Sequence, residues 1–292
     1  NEVFVEDVMR FLDNVMTDFI NRAPDSFKDA KYSAMRERSV GLGVMGLHSY
    51  FQQKGIPFGS VMSKVWNKKV FKDIQEKVDA ASVTLAEERG SCPDAEEYGI
   101  KERFSNKTAI APTASISIIC GGSSPGIEPI AANSYTHKTL SGSYNVRNKY
   151  LAKVLDKYGK NDDETWSSIT TNQGSVSHLD FLTQEEKDVF KTAFELDQRW
   201  VIDLGADRTP NISQAQSINI FIPADIHKRD LHQIHFQAWK KGLKSLYYFR
   251  SKSIQRAENV NNTNMDVAKN VYSVNEPTKN EEDKYEECLS CQ

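Results

Sequence analysis

The chain has 292 residues, is 39% hydrophobic and carries a formal net charge of −3. That is enough apolar residue to bury a sizeable core, but the balance lacks the basic excess that marks a nucleic-acid-binding surface, and no direct DNA contact is expected. No apolar run approaches the ~20 residues of a bilayer-crossing helix, no secretory signal opens the sequence, and four cysteines are too few for a disulfide framework at this length, so a cytoplasmic protein with reduced thiols and no membrane partner is expected.

Residues 3–20 predict an amphipathic helix, with Val5, Val8, Leu12, Val15, Met16 and Phe19 at three- and four-residue spacings. Residues 61–89 predict a second, striped by Trp66, Val70, Ile74, Val78, Ala81 and Leu85 and stopped by Gly90. A third runs from about Asn148 to Gly159. A fourth opens on the capping box of Thr183 and Glu186 and is expected to reach Gly205. Short β-like segments fall at residues 107–110, 217–222 and 243–249. The last two flank a helical stretch with Leu231, Ile234, His235 and Ala238 on one face, so they read as a β-α-β unit with parallel strands. Residues 258–292 are rich in Asn, Glu, Lys and Asp without a helical stripe, and read as a flexible tail. The expected class is α/β.

Four groups of residues are candidates for chemistry. Cys288 and Cys291 form a Cys-x-x-Cys pair at the end of the tail. A tetrahedral zinc site needs four ligands and no second pair exists, which leaves either a tethered dithiol carrying electrons or two exposed cysteines of no consequence. Tyr247 and Tyr248 close the last predicted strand. Adjacent strand aromatics are ordinarily packing residues. A phenol can also lose an electron and a proton together, so two neighbours can pass a radical. Regular strand geometry puts consecutive side chains on opposite faces, and a stacked pair therefore requires a local irregularity. Residues 111–117, Ala-Pro-Thr-Ala-Ser-Ile-Ser, follow a strand and suit an ordinary turn, a strand through residues 115–119, or a helix start facing a phosphate, with Thr113, Ser115 and Ser117 as hydroxyl donors. The fourth group, Gly41, Gly43 and Gly46, matches G-x-G-x-x-G, but lacks the preceding apolar strand and the following acid of a dinucleotide site. Close packing at a helix start is the expectation there. The six histidines show no ligand spacing and are taken as partly buried structural residues; Cys92 and Cys120 are expected to be buried and unreactive.

Taken in order, these segments resemble the large subunit of class I ribonucleotide reductases. Residues 38–47 (RSVGLGVMGL) resemble that family's glycine-rich helix start, and residues 111–115 (APTAS) its substrate-diphosphate loop. Residues 126–129 (GIEP) match a signature just downstream, and residues 134–142 (SYTHKTLSG) resemble the eukaryotic-type continuation. Residues 239–248 (WKKGLKSLYY) match the radical-transfer strand, and residues 287–291 (ECLSC) the tail dithiol. Ile116 and Ile118 depart from the family by standing where smaller or polar residues are usual.

The resemblance implies that residues 1–257 are the C-terminal part of a catalytic ten-stranded α/β barrel and residues 258–292 a flexible redox tail. It implies that Tyr247 and Tyr248 relay a radical, that Thr113, Ala114, Ser115, Ile116 and Ser117 line a site for ribonucleoside diphosphates, and that Cys288 and Cys291 re-reduce an active-site disulfide and are recharged by thioredoxin or glutaredoxin. No cofactor is expected on this chain, since the radical would come from a metal-containing small subunit. The family's thiyl-forming cysteine belongs to an N-terminal half that has no counterpart in this sequence, so that half is an expected partner. The competing expectation is a non-catalytic scaffold that retains the reductase fold. A scaffold would need neither the tyrosine pair nor the terminal dithiol.

Overall fold

A computed structural model describes residues 2–139 and 142–251 of the chain. The predicted tail, with Cys288 and Cys291, lies outside the described residues. In chain order the elements are α1 (Glu2–Arg22), α2 (Lys28–Glu37), α3 (Leu47–Gln53), α4 (Val61–Arg89), α5 (Pro93–Glu97), α6 (Ala114–Ile119), β1 (Ser134–Thr139), β2 (Gly142–Arg147), α7 (Lys149–Lys157), α8 (Asp163–Thr171), α9 (Gln184–Val189), α10 (Arg199–Arg208), β3 (Ile220–Ile222), α11 (Lys228–Lys240) and β4 (Phe249–Ser251). No helix among the described residues is long and apolar enough to cross a membrane.

The organising feature is a ladder of parallel extended segments that follow one another in sequence. Leu42 bridges Thr108 in parallel, and Ile110 bridges Gln216 in parallel. The third segment continues into β3, which pairs in parallel with β4, Ile220 opposite Phe249. The ladder thus runs 40–42, 107–110, 214–222, 247–251, with helices in each crossover, as expected for part of an α/β barrel. The strand expected at residues 107–110 is present as isolated bridges only, and the β-α-β unit at 217–249 forms with α11 as its helix.

The glycine-rich run serves this ladder. A Cβ on Gly43 would stand 2.5 Å from the Ala109 carbonyl oxygen, and one on Gly41 3.0 Å from Ala109 Cβ. Bare backbone is therefore what lets the first two segments approach. Gly46, at φ 81°, is the residue before α3, a conformation that costs glycine little.

Among the described residues, three apolar clusters hold the elements. The largest lies between the ladder and its helices, with Phe51, Phe58, Phe71, Ile110, Ile127, Ile218 and Ile220 buried. A second joins α7, α8 and the run to Phe190 around Leu151, Leu155 and Trp166. The third packs α1 on α4 through Met9, Val78, Ala81 and Leu85. Each such side chain contributes about 1.5–3 kcal/mol by leaving water.

Several expectations are corrected. The α1 stripe is narrower than its spacing suggested: Val5, Leu12 and Met16 pack inward with Met9, whereas Val15 and Phe19 are exposed. The fourth helix is broken into α9 and α10. Its capping box forms as expected, with the Glu186 N–H donating to Thr183 Oγ1 and the Thr183 N–H to Glu186 Oε2. Beyond Val189 the chain leaves the helix, because Glu195 accepts from the Thr192 N–H and hydroxyl and buried Gln198 donates to the carbonyls of Ala193 and Leu196. Side chain-to-backbone bonds of this kind compete directly with helix continuation. The β1–β2 hairpin, Ser134 opposite Arg147, was not anticipated as secondary structure. Cys92 is buried as expected, but Cys120 is exposed.

On the inner face of α1 the fully buried carboxylate of Asp13 accepts from Arg38, Arg89 and Arg103. Burial pushes its pKa up, and the hydrogen bonds from Arg103, Arg89 and Arg38 outweigh that push and hold it below the ordinary carboxylate value.

Candidate functional site

Tyr247 and Tyr248 enter the ladder beside residues 218–220, and the hydrogen bonds there are out of step. The Tyr247 N–H donates to the Ile218 carbonyl at 2.9 Å, and the Ile220 N–H donates to the Tyr248 carbonyl at 2.9 Å. In an unbroken parallel ladder the second acceptor would be the carbonyl of Tyr247. Two residues, Tyr247 and Tyr248, therefore stand opposite the single residue Asn219, which defines a β-bulge. The irregularity that a stacked pair requires is present, and the two rings lie side by side with centroids 4.1 Å apart at 51°. Both rings are partly exposed, at 36% and 47%.

The bulge leaves the Tyr248 N–H without a ladder partner, and Asn219 supplies one. Its Oδ1 accepts that N–H at 3.0 Å, while its Nδ2 donates to Glu128 Oε1 at 2.5 Å. Asn219 is fully buried and Glu128 nearly so. Burial pushes the Glu128 carboxyl up to about 7, against the charge of Arg250 and the Asn219 hydrogen bond, which both pull it down.

Glu128 belongs to a loop pinned from several sides. The Ile130 N–H donates to His48 Nδ1 at 2.9 Å, and the Ser49 hydroxyl takes the Ser124 N–H at 2.8 Å. His48 is wholly enclosed, and that burial lowers its pKa to about 3. The neutral ring with Nδ1 unprotonated is the form that can accept from Ile130. Lys244 similarly donates to the carbonyls of Ile212, Ser213 and Gln214, which ties the run before β4 to the start of the third segment.

Of the alternatives open after Pro112, a turn, a strand or a helix start, the helix start is the one present: α6 begins at Ala114, preceded by Thr113 at φ 54°. Its first-turn N–H groups, on Ala114, Ser115 and Ile116, have no acceptor one turn back by helix geometry. The three hydroxyls expected to act as donors are placed differently from one another. Thr113 Oγ1 accepts the Gly126 N–H at 2.7 Å. The Ser117 hydroxyl donates inward to the Ala114 carbonyl and its side chain is buried, so it holds the turn instead of facing outward. Ser115 is exposed, as is Ile116 at 54%.

Tyr247 and the approach to α6 share one cleft of about 380 Å³, lined by Ala111, Pro112, Gln216, Ser217, Ser245 and Tyr247 among others. Residues 113–117 continue directly from its Pro112 wall. Sequence reasoning missed Asn219 altogether and quoted Glu128 only as part of a signature. A polar residue inside the β-branched run Ile218-Asn219-Ile220, and an acid between Ile127 and Pro129, are the signals that could have found them.

The family described as ribonucleotide reductase, barrel domain, matches residues 2–99 and 94–249. The ribonucleoside-diphosphate reductase large subunit of Invertebrate iridescent virus 6 is 46% identical over 283 residues, covering 96% of this chain and 29% of that protein. The putative large subunit of Frog virus 3 is 37% identical, covering 99% of this chain and 48% of that protein. The class Id ribonucleotide reductase alpha subunit of Actinobacillus ureae superposes with a TM-score of 0.80 at 40% identity, covering 85% of this chain and 46% of its own. The chain thus spans less than half the length of these relatives, and within that span it belongs to the ribonucleotide reductase barrel-domain family.

Proposed function

We propose that this chain forms part of the catalytic subunit of a ribonucleoside-diphosphate reductase. Tyr247 and Tyr248 relay a radical between a small, metal-containing subunit and the active site. Each step removes an electron and a proton from one phenol as its neighbour is re-formed. The observation that carries the reading is the bulged pair, with rings 4.1 Å apart and with Tyr247 on the wall of the cleft that reaches Pro112, just before α6. Ribonucleoside diphosphates are the proposed substrates. The start of α6 takes the diphosphate through the N–H groups of Ala114, Ser115 and Ile116, helped by the exposed Ser115 hydroxyl, while Thr113 and Ser117 shape the turn.

Cys288 and Cys291, at the end of the tail, deliver two electrons and two protons to an active-site disulfide. They become a disulfide themselves and are recharged by thioredoxin or glutaredoxin. The thiyl-forming cysteine and the remaining barrel strands lie in the portion of the relatives that this chain does not span, so activity requires that portion as well as the small subunit. The cytoplasm is the proposed location.

The test is ribonucleoside-diphosphate reduction by an assembly of this chain, the rest of the barrel and the small subunit. Cys288→Ser with Cys291→Ser should abolish turnover driven by thioredoxin while sparing turnover driven by a small-molecule dithiol that reaches the active site directly. Turnover by this chain with neither partner present would contradict the reading.

A further inference from the structure

The relay as read above rests on two phenols being neighbours, and neighbouring residues in an extended strand are normally kept apart by alternation. The bulge removes that separation, but it takes the partly buried Tyr248 N–H out of the ladder, and a donor withdrawn from water costs about 1–3 kcal/mol when nothing replaces the lost partner. The replacement is the Asn219 side chain, whose Oδ1 lies 3.0 Å from the Tyr248 nitrogen. A carboxamide can turn over and present its NH2 instead. Here doing so sets a donor against the Tyr248 N–H, and with Glu128 ionised it also sets an acceptor against the carboxylate whose Oε1 takes Nδ2.

We propose that Glu128 and Asn219 are positioning residues for the relay: Glu128 fixes the orientation of the Asn219 carboxamide, and Asn219 fixes the bulge that brings the rings of Tyr247 and Tyr248 together. Neither residue touches the phenol chemistry. Both act through the backbone of Tyr248. Three elements converge on this device, the loop after Pro125, strand β3 and the entry to β4, which is why it was not evident from any one stretch of sequence. The enclosed setting strengthens it, since both side chains are buried and water cannot easily substitute for either partner. Glu128 is only 4% exposed, so its carboxyl is withdrawn from water. Asn219 can donate to Glu128 whether or not that proton is present.

This inference depends on the tyrosine relay, and the experiment separates the two. The assembled reductase is prepared with Asn219→Leu, Glu128→Ala, Glu128→Gln and Tyr248→Phe, and kcat and KM for the diphosphate are measured after thermal melting has shown that each assembly is folded. Leucine matches asparagine in size but accepts nothing. Glutamine keeps an acceptor for the Asn219 amide, and alanine does not. Expected is a fall in kcat of about tenfold or more for Asn219→Leu and Glu128→Ala, with KM changed by less than about twofold, and recovery to within about threefold of native for Glu128→Gln. A 3-aminotyrosine at position 248 should trap radical in the Gln variant and much less in the Ala variant. Should Asn219→Leu not fold, the Glu128 pair decides alone. Native kcat in the folded Asn219→Leu or Glu128→Ala assembly, or equal losses for Ala and Gln, overturns the positioning role. Full activity in Tyr248→Phe overturns the relay reading itself.

Discussion

Tyr247 and Tyr248 are consecutive in sequence, yet their rings lie 4.1 Å apart because both residues stand opposite Asn219 alone. The aromatic rings are partly exposed, and the backbone bonds that hold them do not involve the phenol oxygens. Replacing Tyr248, which is 47% exposed, by phenylalanine should therefore leave stability within about 0.5 kcal/mol, as for other exposed substitutions. The melting temperature of this variant beside the native chain checks this. A large drop would mean that the hydroxyl is structural.

Glu128 gives a pH signature. Its folded pKa, about 7, stands above the ordinary 4.5, so the folded chain holds this proton more tightly than the unfolded chain. The associated stability is fully present below about pH 4.5 and is lost as pH rises to about 7. Buried His48, lowered to about 3, has the opposite effect, its stabilisation being present above about 6.5 and lost as pH falls towards 3. The difference between Glu128→Gln and the native chain cancels His48. That difference should grow in favour of the variant across pH 4.5–7, by up to about 3 kcal/mol. Urea midpoints at several pH values measure it, and a flat difference would contradict the burial of an ionisable carboxyl.

Asp13 should behave as a structural charge. It faces Arg38, Arg89 and Arg103 while fully buried, and its lowered pKa means that the stabilisation is present above its unfolded value and lost as pH falls through the folded one. Asp13→Asn leaves converging guanidinium groups without their anion and should destabilise by about 3–5 kcal/mol. A denaturant midpoint shifted by less than a quarter of that amount would show that the arginines find other partners.

Gly43 sets the spacing of the first two ladder segments. The Cβ in Gly43→Ala would sit 2.5 Å from the Ala109 carbonyl oxygen, which is backbone and cannot swing aside. The expected cost is about 1–3 kcal/mol, as for other overpacked positions. Gly55, with nothing within 4 Å of an added Cβ but φ 66°, provides the contrast of conformational strain without crowding. Equal stability of Gly43→Ala and native chains would argue against the close approach.

The parts legible in the sequence were those decided locally. The stripe of α4, its stop at Gly90, the capping box of Thr183 and Glu186 and the β-α-β unit around α11 follow from periodicity and end signals within a few residues. The order of motifs identified the family. What was not legible depended on partners far away in sequence. The helix expected through residues 183–205 breaks because Gln198 is drawn into the core, where its Oε1 accepts the Phe221 N–H. The isoleucines of α6 are exposed, although composition alone would bury them. The bulge at Tyr247–Tyr248 is set by a hydrogen-bond register against residues 218–220 and by an acid 91 residues upstream of Asn219, and no local pattern encodes it.

The central claim is that the tyrosine pair carries a radical in ribonucleotide reduction. The most direct measurement is ribonucleoside-diphosphate turnover by the assembled reductase containing Tyr247→Phe, beside the native assembly and with assembly verified for both. Turnover in the native complex and a loss of at least about a hundredfold in the variant is the predicted result. Equal turnover in the two, or none in a native complex shown to be fully assembled, would contradict it.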